Sequence, residues 1–451
     1  MEPDRRDSPA ETPESLPPRP LRHHLALTVY WLGNTLMWGA LLHLGLQSRL
    51  SDWFGQDRVG YYLGVLGFAG GVVGTVVQIV AGAFSDRSAH PAGRRRPYVV
   101  VGTLLGAAAL VALGAAPSFW YFAGALLLVQ LFTNVALGPF TALLPDTVNP
   151  REHGKASGFM GIARLLGDTG GLILAGQMLS TGALVGAPLA LIVAFHDRRM
   201  FLMCALMAAF LVLGMVYTCR AILETPLRRP PAEPVLQIVR RSFRVNLRDH
   251  PDFYWLLLSR AVTNLGFYTF LEVLFYYLKY TLRVPDPEQT SVLVMLPAIG
   301  AALLSSLPAG LLSDRLGRKR LIIFAQLLMA AGAGAFMLGG GLATAYAGAI
   351  PAGLAYGVFT AVEWALACNL LPREESARYL GLWNVSAIVP QIIAFPVAGA
   401  LGSALSAVQP GLGWRVDFGL ALVCCLGGLY FLRFVRERRA APDSHSGCHA
   451  Q

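Results

Sequence analysis

The sequence predicts an all-α membrane protein with twelve transmembrane helices in two six-helix bundles of matching pattern. Three observations support this fold class. The 451-residue chain is 55% hydrophobic and only 14% charged, with a mean hydropathy of +0.53, whereas soluble domains carry about 25% charged residues. Its apolar runs recur at lengths of about 20 residues, as a helix needs to cross a bilayer. Most of its arginines fall in alternate connections between those runs, which is the positive-inside pattern of membrane proteins.

Polar connections divide the apolar runs into twelve predicted spans. A Pro/Arg-rich segment at 223–252 separates six spans from six and predicts a cytoplasmic basic linker. The N-terminal bundle covers 23–222 and the C-terminal bundle 253–434, with a disordered cytoplasmic leader at 1–22 and a cytoplasmic tail at 435–451. The spans are predicted at 25–47, 59–84, 97–117, 119–144, 157–180, 199–222, 254–280, 290–312, 321–341, 346–371, 379–402 and 415–434.

The basic residues orient the chain. With both termini in the cytoplasm, 27 Lys and Arg residues lie inside and 7 outside, while Arg164 and Arg260 lie within spans. This bias favours a multi-pass protein of the inner or plasma membrane with cytoplasmic termini. Contact of the basic loops with lipid head groups accounts for the net charge of +10, so we expect no nucleic-acid partner. The apolar stretch 183–195 either extends the fifth span or lies along the outer surface.

A charged motif occurs twice, at the ends of the second and the eighth spans. The first copy is GAFSDRSAHPAGRRRPY at Gly82–Tyr98, and GLLSDRLGRKR at Gly310–Arg320 follows 228 residues later. A second match aligns Phe132–Pro145 with Phe359–Pro372, where six of fourteen positions are identical. The chain therefore predicts a parallel six-span repeat, an architecture in which the substrate site lies between the halves.

On these motifs the chain resembles the major facilitator superfamily over nearly its whole length. The repeated element resembles that family's loop between spans 2 and 3, which recurs between spans 8 and 9. Its longer first copy, with SAHPA between Arg87 and Gly93, is similar to the plant sucrose–proton symporters and the bacterial glycoside–pentoside–hexuronide symporters, as is Asn134–Asp146. Where the sucrose symporters carry an aspartate for proton coupling and an arginine for sugar binding, this chain has Gln130 and Thr141. The resemblance therefore does not extend to sucrose itself or to that coupling site.

The resemblance implies that the repeated motif latches the two halves in the outward-facing state. Gly82 is expected to let another helix approach closely, and Asp86, one turn later, to face the partly positive N-terminus of that helix. The arginines 94–96 are expected to pair with Asp146 at the inner end of span 4. The predicted latch residues are Gly82, Asp86, Arg94, Asp146, Gly310, Asp314 and Arg318.

Several charged side chains interrupt the spans, although a charge at mid-membrane costs about 2.5–3.5 kcal/mol on insertion scales. Arg164 and Asp168 lie one helical turn apart on span 5 and are expected to pair, either as a structural ion pair or as part of a proton route. Glu272 on span 7 and Glu363 on span 10 have no partner within their helices, and unpaired intramembrane acids usually mark proton or ion routes. The proton-coupling candidates are Glu272, Glu363, Asp168 and Arg164.

Polar side chains also share helix faces on spans 1, 4, 7 and 10, which line the cavity in the resembling family. At about 100° per residue, for example, Asn264, Tyr268 and Glu272 fall within one arc. Such amides alternatively bond between helices, and lone tryptophans alternatively pack. The substrate-cavity candidates are Asn34, Trp38, Gln130, Asn134, Asn264, Tyr268, Thr360 and Asn384.

These features favour a secondary active transporter that moves a small polar solute, a sugar or glycoside, by proton symport with alternating access. The competing hypotheses are a proton-coupled exporter of drugs or metabolites and a non-transporting membrane assembly or scaffold protein on the same fold. The sequence contains no GxxxxGK[ST] loop, no metal-ligand cluster and no nucleophile–base pair, so we expect no cofactor, no metal and no enzymatic activity. The expected partners are the solute, protons and the lipid bilayer.

Overall fold

Twelve long helices follow one another in the part of the chain that the structure describes. The computed structural model describes residues 20–149, 152–180, 198–222, 224, 250–370 and 376–436. The leader 1–22, the stretch 183–195, the linker 223–252 and the tail 435–451 lie wholly or almost wholly outside these residues. The helices are α1 Leu21–Trp53, α2 Val59–Ser85, α3 Arg96–Gly114, α4 Phe119–Thr147, α5 His153–Leu179, α6 Arg199–Ala221, α7 Pro251–Tyr276, α8 Pro287–Leu316, α9 Arg318–Leu338, α10 Leu342–Leu370, α11 Ser376–Val408 and α12 Leu412–Leu432.

This architecture confirms the predicted fold class. Eleven of the described helices are long and apolar enough to cross a membrane, and the described residues contain no strand. The remaining helix, α7, is less apolar because Arg260, Asn264 and Glu272 lie along it. A π-helical turn at Leu41–Gly45 occurs within α1, and another at Tyr277–Thr281 follows α7. A π turn adds one residue to a helical turn and is frequent at functional sites. After the first of them α1 continues to Trp53, past its predicted end.

The packing divides the chain into two compact units. Unit 1 comprises Met1–Arg241, Leu271–Leu296 and Ile392–Asp417, and unit 2 comprises Ser242–Phe270, Pro297–Gln391 and Phe418–Gln451. Unit 1 thus contains α1–α6 together with the segments of α7, α8, α11 and α12 that flank the α7–α8 and α11–α12 connections. In the predicted topology, both of these connections lie on the outer side of the membrane.

Small residues bring α2 and α11 close together within unit 1. A Cβ added at Gly60 would collide with the backbone oxygen of Gly399, and one added at Gly64 would lie 2.7 Å from the Cα of Pro396. The Gly60 N–H donates to Ser403 Oγ at 2.9 Å. Without a hydrophobic drive between helices in lipid, close backbone packing of this kind supplies much of their attraction. Glycine at these positions is therefore required by the helix crossing.

The two copies of the repeated motif adopt related backbone conformations. Gly93 has φ +107° and Gly317 has φ +90°, a region that other residues rarely occupy. Each glycine precedes a helix start, α3 at Arg96 and α9 at Arg318. In the first copy Pro97 lies in the first turn of α3, where its missing N–H removes no helical hydrogen bond. Glycine therefore reverses the chain direction between adjacent helices in both halves.

Candidate functional site

A buried ion pair joins two helices of unit 2. Arg260 on α7 and Glu363 on α10 approach to 3.3 Å between Nε and Oε1, and their side chains are only 12% and 4% exposed. The Arg260 guanidinium also lies over the indole of Trp383 on α11, 3.7 Å from the ring centroid. The electron-rich face of an indole attracts a cation, and more strongly where water is excluded. Three helices therefore meet at one positive charge, and we call Arg260, Glu363 and Trp383 the Arg260 cluster.

The Arg260 cluster retains polar atoms that the described residues leave unsatisfied. Arg260 Nη1 and Glu363 Oε2 are buried and have no hydrogen-bond partner among them. Buried polar atoms in proteins nearly always have such a partner, so exceptions call for an explanation. A free donor close to a free acceptor matches a hydroxyl group, which both accepts and donates. The cluster therefore has the chemistry of a site for a hydroxylated solute.

The predicted cavity residues of the second half lie on the three helices of the Arg260 cluster. Asn264 is buried, and its Nδ2 lies 3.5 Å from the backbone oxygen of Ser386. Thr360 Oγ1 donates to the backbone oxygen of Tyr356 at 2.9 Å. Tyr268 is half-buried, and Asn384, next to Trp383 on α11, is exposed. The structure thus groups these residues on α7, α10 and α11, with Asn264 partly engaged in a contact between helices.

Glu272 lies in unit 1 and has a neutral partner. Its side chain is buried, and Gln47 on α1 donates from Nε2 to the Glu272 backbone oxygen at 3.0 Å and to Oε2 at 3.3 Å. The Tyr276 hydroxyl, one turn further along α7, lies 3.5 Å from the backbone oxygen of Gln47. Close by along these helices, Ser48 Oγ donates to Glu288 Oε1 at 2.7 Å. Hydrogen bonds rather than ion pairs therefore hold α1 to these segments of α7 and α8.

The pair predicted on α5 is loose. Arg164 Nε and Asp168 Oδ2 are 3.9 Å apart, and the two side chains are 67% and 40% exposed. Exposed pairs contribute between zero and about 1 kcal/mol. The sequence predicted either a structural ion pair or part of a proton route, and this geometry gives little support to an enclosed structural ion pair.

The predicted cavity residues of the first half are largely occupied by contacts within unit 1. Asn134 Nδ2 donates to the backbone oxygen of Gln130 at 2.8 Å and to its Oε1 at 3.2 Å. A Cβ added at Gly74 on α2 would lie 2.9 Å from Gln130 Oε1, so the α4 amides pack directly against α2. Asn34 on α1 is buried and Trp38 is half-buried. The Gln130–Asn134 pair therefore has a structural explanation without a ligand.

The charged loop after α2 is organised by Arg95, whose exposure is 3%. Its Nε lies 3.0 Å from Asp146 Oδ2, its Nη1 donates to Ser85 Oγ at 2.6 Å, and its Nη2 pairs with Asp86. Arg94 pairs with the same Asp146. Charge-assisted hydrogen bonds to a guanidinium are among the stronger contacts in proteins. The loop is thereby tied to the ends of both α2 and α4.

Glu224, just beyond α6, completes this arrangement outside the spans. Its Oε2 accepts a hydrogen bond from the backbone N–H of Arg95 at 2.7 Å. Burial raises the pKa of Glu224 above its ordinary value, although hydrogen bonds from the backbone N–H groups of Arg95 and Arg96 lower it in part. The positive φ of Gly93 brings that residue against the same carboxylate, since an added Cβ would lie 2.8 Å from Glu224 Oε2.

Gly82 packs against α4 through its backbone, since a Cβ added at Gly138 would lie 3.2 Å from the Gly82 nitrogen. A Cβ added at Gly82 or at Gly310 would meet no described atom within 4 Å. The space on the Cβ side of both glycines is open among the described residues, and the approach of a helix of the other half at Gly82 stays a prediction. Arg318 is the first residue of α9, and the side chain of Asp314 lies outside the described residues. The latch between the halves stays a prediction.

Three features of these sites were not identified from the sequence. They are the ion pair of Arg260 with Glu363, the hydrogen bond from Gln47 to Glu272, and the larger number of contacts that Arg95, rather than Arg94, makes in the charged loop. Arg260 was visible as a charge within a span, and the tendency of intramembrane charges to pair would have pointed to one of the two glutamates. Nothing in the sequence marks Gln47, because its partner lies 225 residues away.

Comparison with known proteins adds a family and several relatives. Residues 39–375 match the family model described as MFS/sugar transport protein. The chain is 28% identical over 238 residues to the general alpha-glucoside permease of Schizosaccharomyces pombe, covering 49% of this chain and 40% of that protein. It is 27% identical over 128 residues to the sucrose transport protein SUC3 of Arabidopsis thaliana, covering 23% and 22% of the two chains. The matched segments thus span less than half the length of these curated relatives.

The fold also matches solved structures. The crystal structure of a D-xylose–proton symporter aligns over 92% of this chain and 98% of its own, with a TM-score of 0.67 at 15% identity. At that identity the likeness establishes the twelve-helix fold alone.

Proposed function

Because the chain belongs to the MFS/sugar transport protein family, whose members are transporters rather than enzymes, we propose that it carries a sugar or glycoside together with protons by alternating access. The observation that carries this proposal is the Arg260 cluster. It combines a buried ion pair, unsatisfied polar atoms and an aromatic ring in helices that span the membrane. The sugar class is also supported by the two relatives, an alpha-glucoside permease and a sucrose transport protein.

Solute binding would use the free polar atoms of the Arg260 cluster. A sugar hydroxyl can accept from Arg260 Nη1 and donate to Glu363 Oε2, so the bound solute would satisfy both atoms. A site built to bond hydroxyl groups rejects analogues that lack them, because its buried polar atoms are then left unpaired. The pair thus supplies selectivity for hydroxylated solutes over apolar drugs.

Proton coupling would use the same glutamate. While Glu363 is ionised, its attraction for Arg260 holds α7 and α10 together. Protonation removes that attraction and leaves Arg260 free to bond the solute or to shift with its helix. A proton and a solute would then be bound and released together, as symport requires. Glu272 and, third, Asp168 with Arg164 remain candidates for further steps on the proton route.

Alternating access requires the contacts within unit 1 to separate. These contacts are the α2–α11 glycine packing with Gly60 bonded to Ser403, and the bonds of Gln47 to Glu272 and of Ser48 to Glu288. Neutral hydrogen bonds contribute about 0.5–1.5 kcal/mol each, and those to charged groups about 1.5–3 kcal/mol. We infer that these contacts close the predicted outer side and open during the cycle. The motif loops at Gly82 and Gly310 would act as the cytoplasmic latch in the opposite state.

The proposed setting follows from the charge distribution. We place the protein in the inner or plasma membrane with both termini in the cytoplasm, because this orientation puts 27 basic residues inside and 7 outside. Its basic loops would then contact anionic lipid head groups.

The test is uptake of a labelled disaccharide and glycoside panel into proteoliposomes, with and without an inward proton gradient. We expect gradient-driven accumulation of at least one member by the wild type. Glu363→Gln should lose accumulation at least tenfold while retaining solute counterflow, because it can bind solute but cannot release a proton. The control is Asp57→Asn, an exposed acid outside the Arg260 cluster and outside the contacts that open during the cycle, which should still accumulate the solute.

Absence of gradient-driven accumulation of any member by the wild type would contradict sugar–proton symport. Resistance to amphipathic drugs on expression without solute uptake would support the exporter hypothesis instead. A co-purifying protein partner, together with tolerance of substitution at Arg260 and Glu363, would support the scaffold hypothesis.

A further inference from the structure

A further acid is buried in the first turns of α12, besides Glu272, Glu288 and Glu363. Asp417 is 0% exposed, and neither of its carboxyl oxygens has a hydrogen-bond partner among the described residues. Three residues earlier, Trp414 is also 0% exposed, and its indole Nε1 likewise has no partner there. Two unsatisfied polar groups side by side in an apolar span are rare and call for an explanation.

No charged side chain among the described residues compensates Asp417. On α11, Gly402 packs directly against the Trp414 ring, and a Cβ added there would lie 2.7 Å from Asp417 Oδ2. At the end of α7 and in the π-helical turn that follows it, the rings of Tyr276 and Tyr280 lie 4.7 and 6.3 Å from that of Trp414. Both tyrosines are titratable side chains packed near Trp414.

Arg415, the basic residue nearest to Asp417 along the sequence, makes no ion pair with its carboxyl group. Arg415 is two residues before Asp417, which places it about 200° around the helix. Its charge acts on Tyr277 instead. No ion pair joins Asp417 to any described residue. An ionised Asp417 would therefore be an isolated charge enclosed in the protein, which costs far more than burial of the neutral acid.

From this geometry we propose that Asp417 binds a proton, holding it as a neutral acid in this conformation and releasing it during the transport cycle. The inference rests on the proposed proton-coupled transport and adds a second proton site to it. The carboxyl O–H bond breaks on release, the proton passes to water, and the carboxylate remains.

The way to water lies along α11. Gly399 and Ser403, which contact Gly60 of α2, flank Gly402, which covers Asp417. Separation of α2 from α11 would expose the part of α11 that carries Gly399 and Ser403, and Gly402, which has no side chain, would then be the thin layer between water and the carboxyl group. The Tyr276 side chain links the same region to the Gln47–Glu272 bond. Opening of the predicted outer side would therefore bring water close to Asp417 and break the Glu272 contact in one movement.

The first test detects the proton itself, by infrared spectroscopy of the purified protein in liposomes. A protonated carboxyl group gives a C=O band that a carboxylate lacks and that shifts in D₂O. We expect Asp417→Asn to remove one such band at neutral pH, whereas the exposed-site control Asp57→Asn leaves the carboxyl C=O region unchanged. Should Asp417→Asn fold poorly, Asp417→Glu should shift the band instead. A carboxyl C=O region identical to the wild type in either folded variant would overturn the proposal.

The second test measures the ratio of protons to solute from the reversal potential of transport in proteoliposomes. We expect Asp417→Asn to carry one proton fewer per solute than the wild type and Asp57→Asn to match the wild type. An unchanged ratio would overturn a role for Asp417 in the cycle even if its band is present. Absence of proton coupling in the wild type would instead refute the proposed function, while the infrared test would still decide whether Asp417 holds a proton.

Discussion

The two arginine–carboxylate pairs within the spans differ in every respect that determines their strength. Arg164–Asp168 lies within one helix, with Nε and Oδ2 3.9 Å apart and side chains 67% and 40% exposed. Arg260–Glu363 joins two helices at 3.3 Å, with side chains 12% and 4% exposed and an indole against the guanidinium. An i,i+4 spacing is visible in a sequence, but it does not show whether the pair is enclosed. The pair that matters for a buried site is the one assembled by the fold.

The largest expected effect tests this difference directly. Arg260→Met leaves the Glu363 carboxyl group buried without its cation, and breaking a buried pair in this way costs about 3–5 kcal/mol of unfolding free energy. Arg164→Met, the matched control, should cost no more than about 1 kcal/mol because its pair is exposed. Equilibrium unfolding in detergent measures both.

The double variant Arg260→Met/Glu363→Gln sharpens the same prediction. It should recover most of the stability lost in Arg260→Met, because no charge is then left unpaired. Equal losses for Arg260→Met and Arg164→Met would mean that enclosure does not distinguish the two pairs.

Glu272 tests whether burial alone is decisive, because it is buried like Glu363 but has an amide as its partner. Gln47→Ala removes a donor from a buried carboxyl group and should cost about 1–3 kcal/mol. Glu272→Gln keeps an acceptor for Gln47 Nε2 and should change the unfolding free energy by less than about 1 kcal/mol. Thermal unfolding of the two variants shows which substitution lowers stability more. A larger loss of stability in Glu272→Gln than in Gln47→Ala would show that the charge of Glu272 is itself needed for stability.

The smallest effect is expected at Glu224, a half-buried carboxylate beside Arg95 and outside the spans. Since burial raises its pKa in the folded state, its contribution to stability is present at pH values below its ordinary pKa and is lost as the pH rises through the folded-state value. Glu224→Gln should therefore match the wild type in acid and exceed it slightly near neutrality. Solvent screening keeps this gain below about 1 kcal/mol. Scanning calorimetry between acid and neutral pH measures this difference in stability. A stability gain of Glu224→Gln that is confined to acid pH would contradict the prediction.

Most of the fold was predictable because the membrane constrains it strongly. A span must satisfy its own backbone hydrogen bonds and present about 20 apolar residues, so the twelve helices follow from hydropathy. The glycines at positions 93 and 317 were found as a repeat, and the structure gives both the positive φ that a tight connection needs. The predicted end of α1 was too early because the residues that carry the helix on to Trp53, SRLSDW, are mostly polar, and hydropathy does not mark them as part of a span.

The candidate site was predicted only in part. Glu363 and Glu272 stood out as charges in apolar spans, yet their partners Arg260 and Gln47 lie 103 and 225 residues away in the chain. Asp417 was not identified because it lies near a predicted span boundary, where an acid is ordinarily exposed to water. Its complete burial depends on Gly402 and Trp414, which only packing brings together with it.

By itself the sequence determined the number of helices, the internal repeat and the family resemblance, because hydropathy, charge placement and motif spacing are local properties of the chain. The tertiary structure decided which intramembrane charges are paired, which have neutral partners and which are left alone. Those outcomes depend on distances between helices that are far apart in sequence. They also depend on the exclusion of water, which strengthens the attraction within an ion pair such as Arg260–Glu363 and makes ionisation costly for Asp417, an acid without a counterion among the described residues.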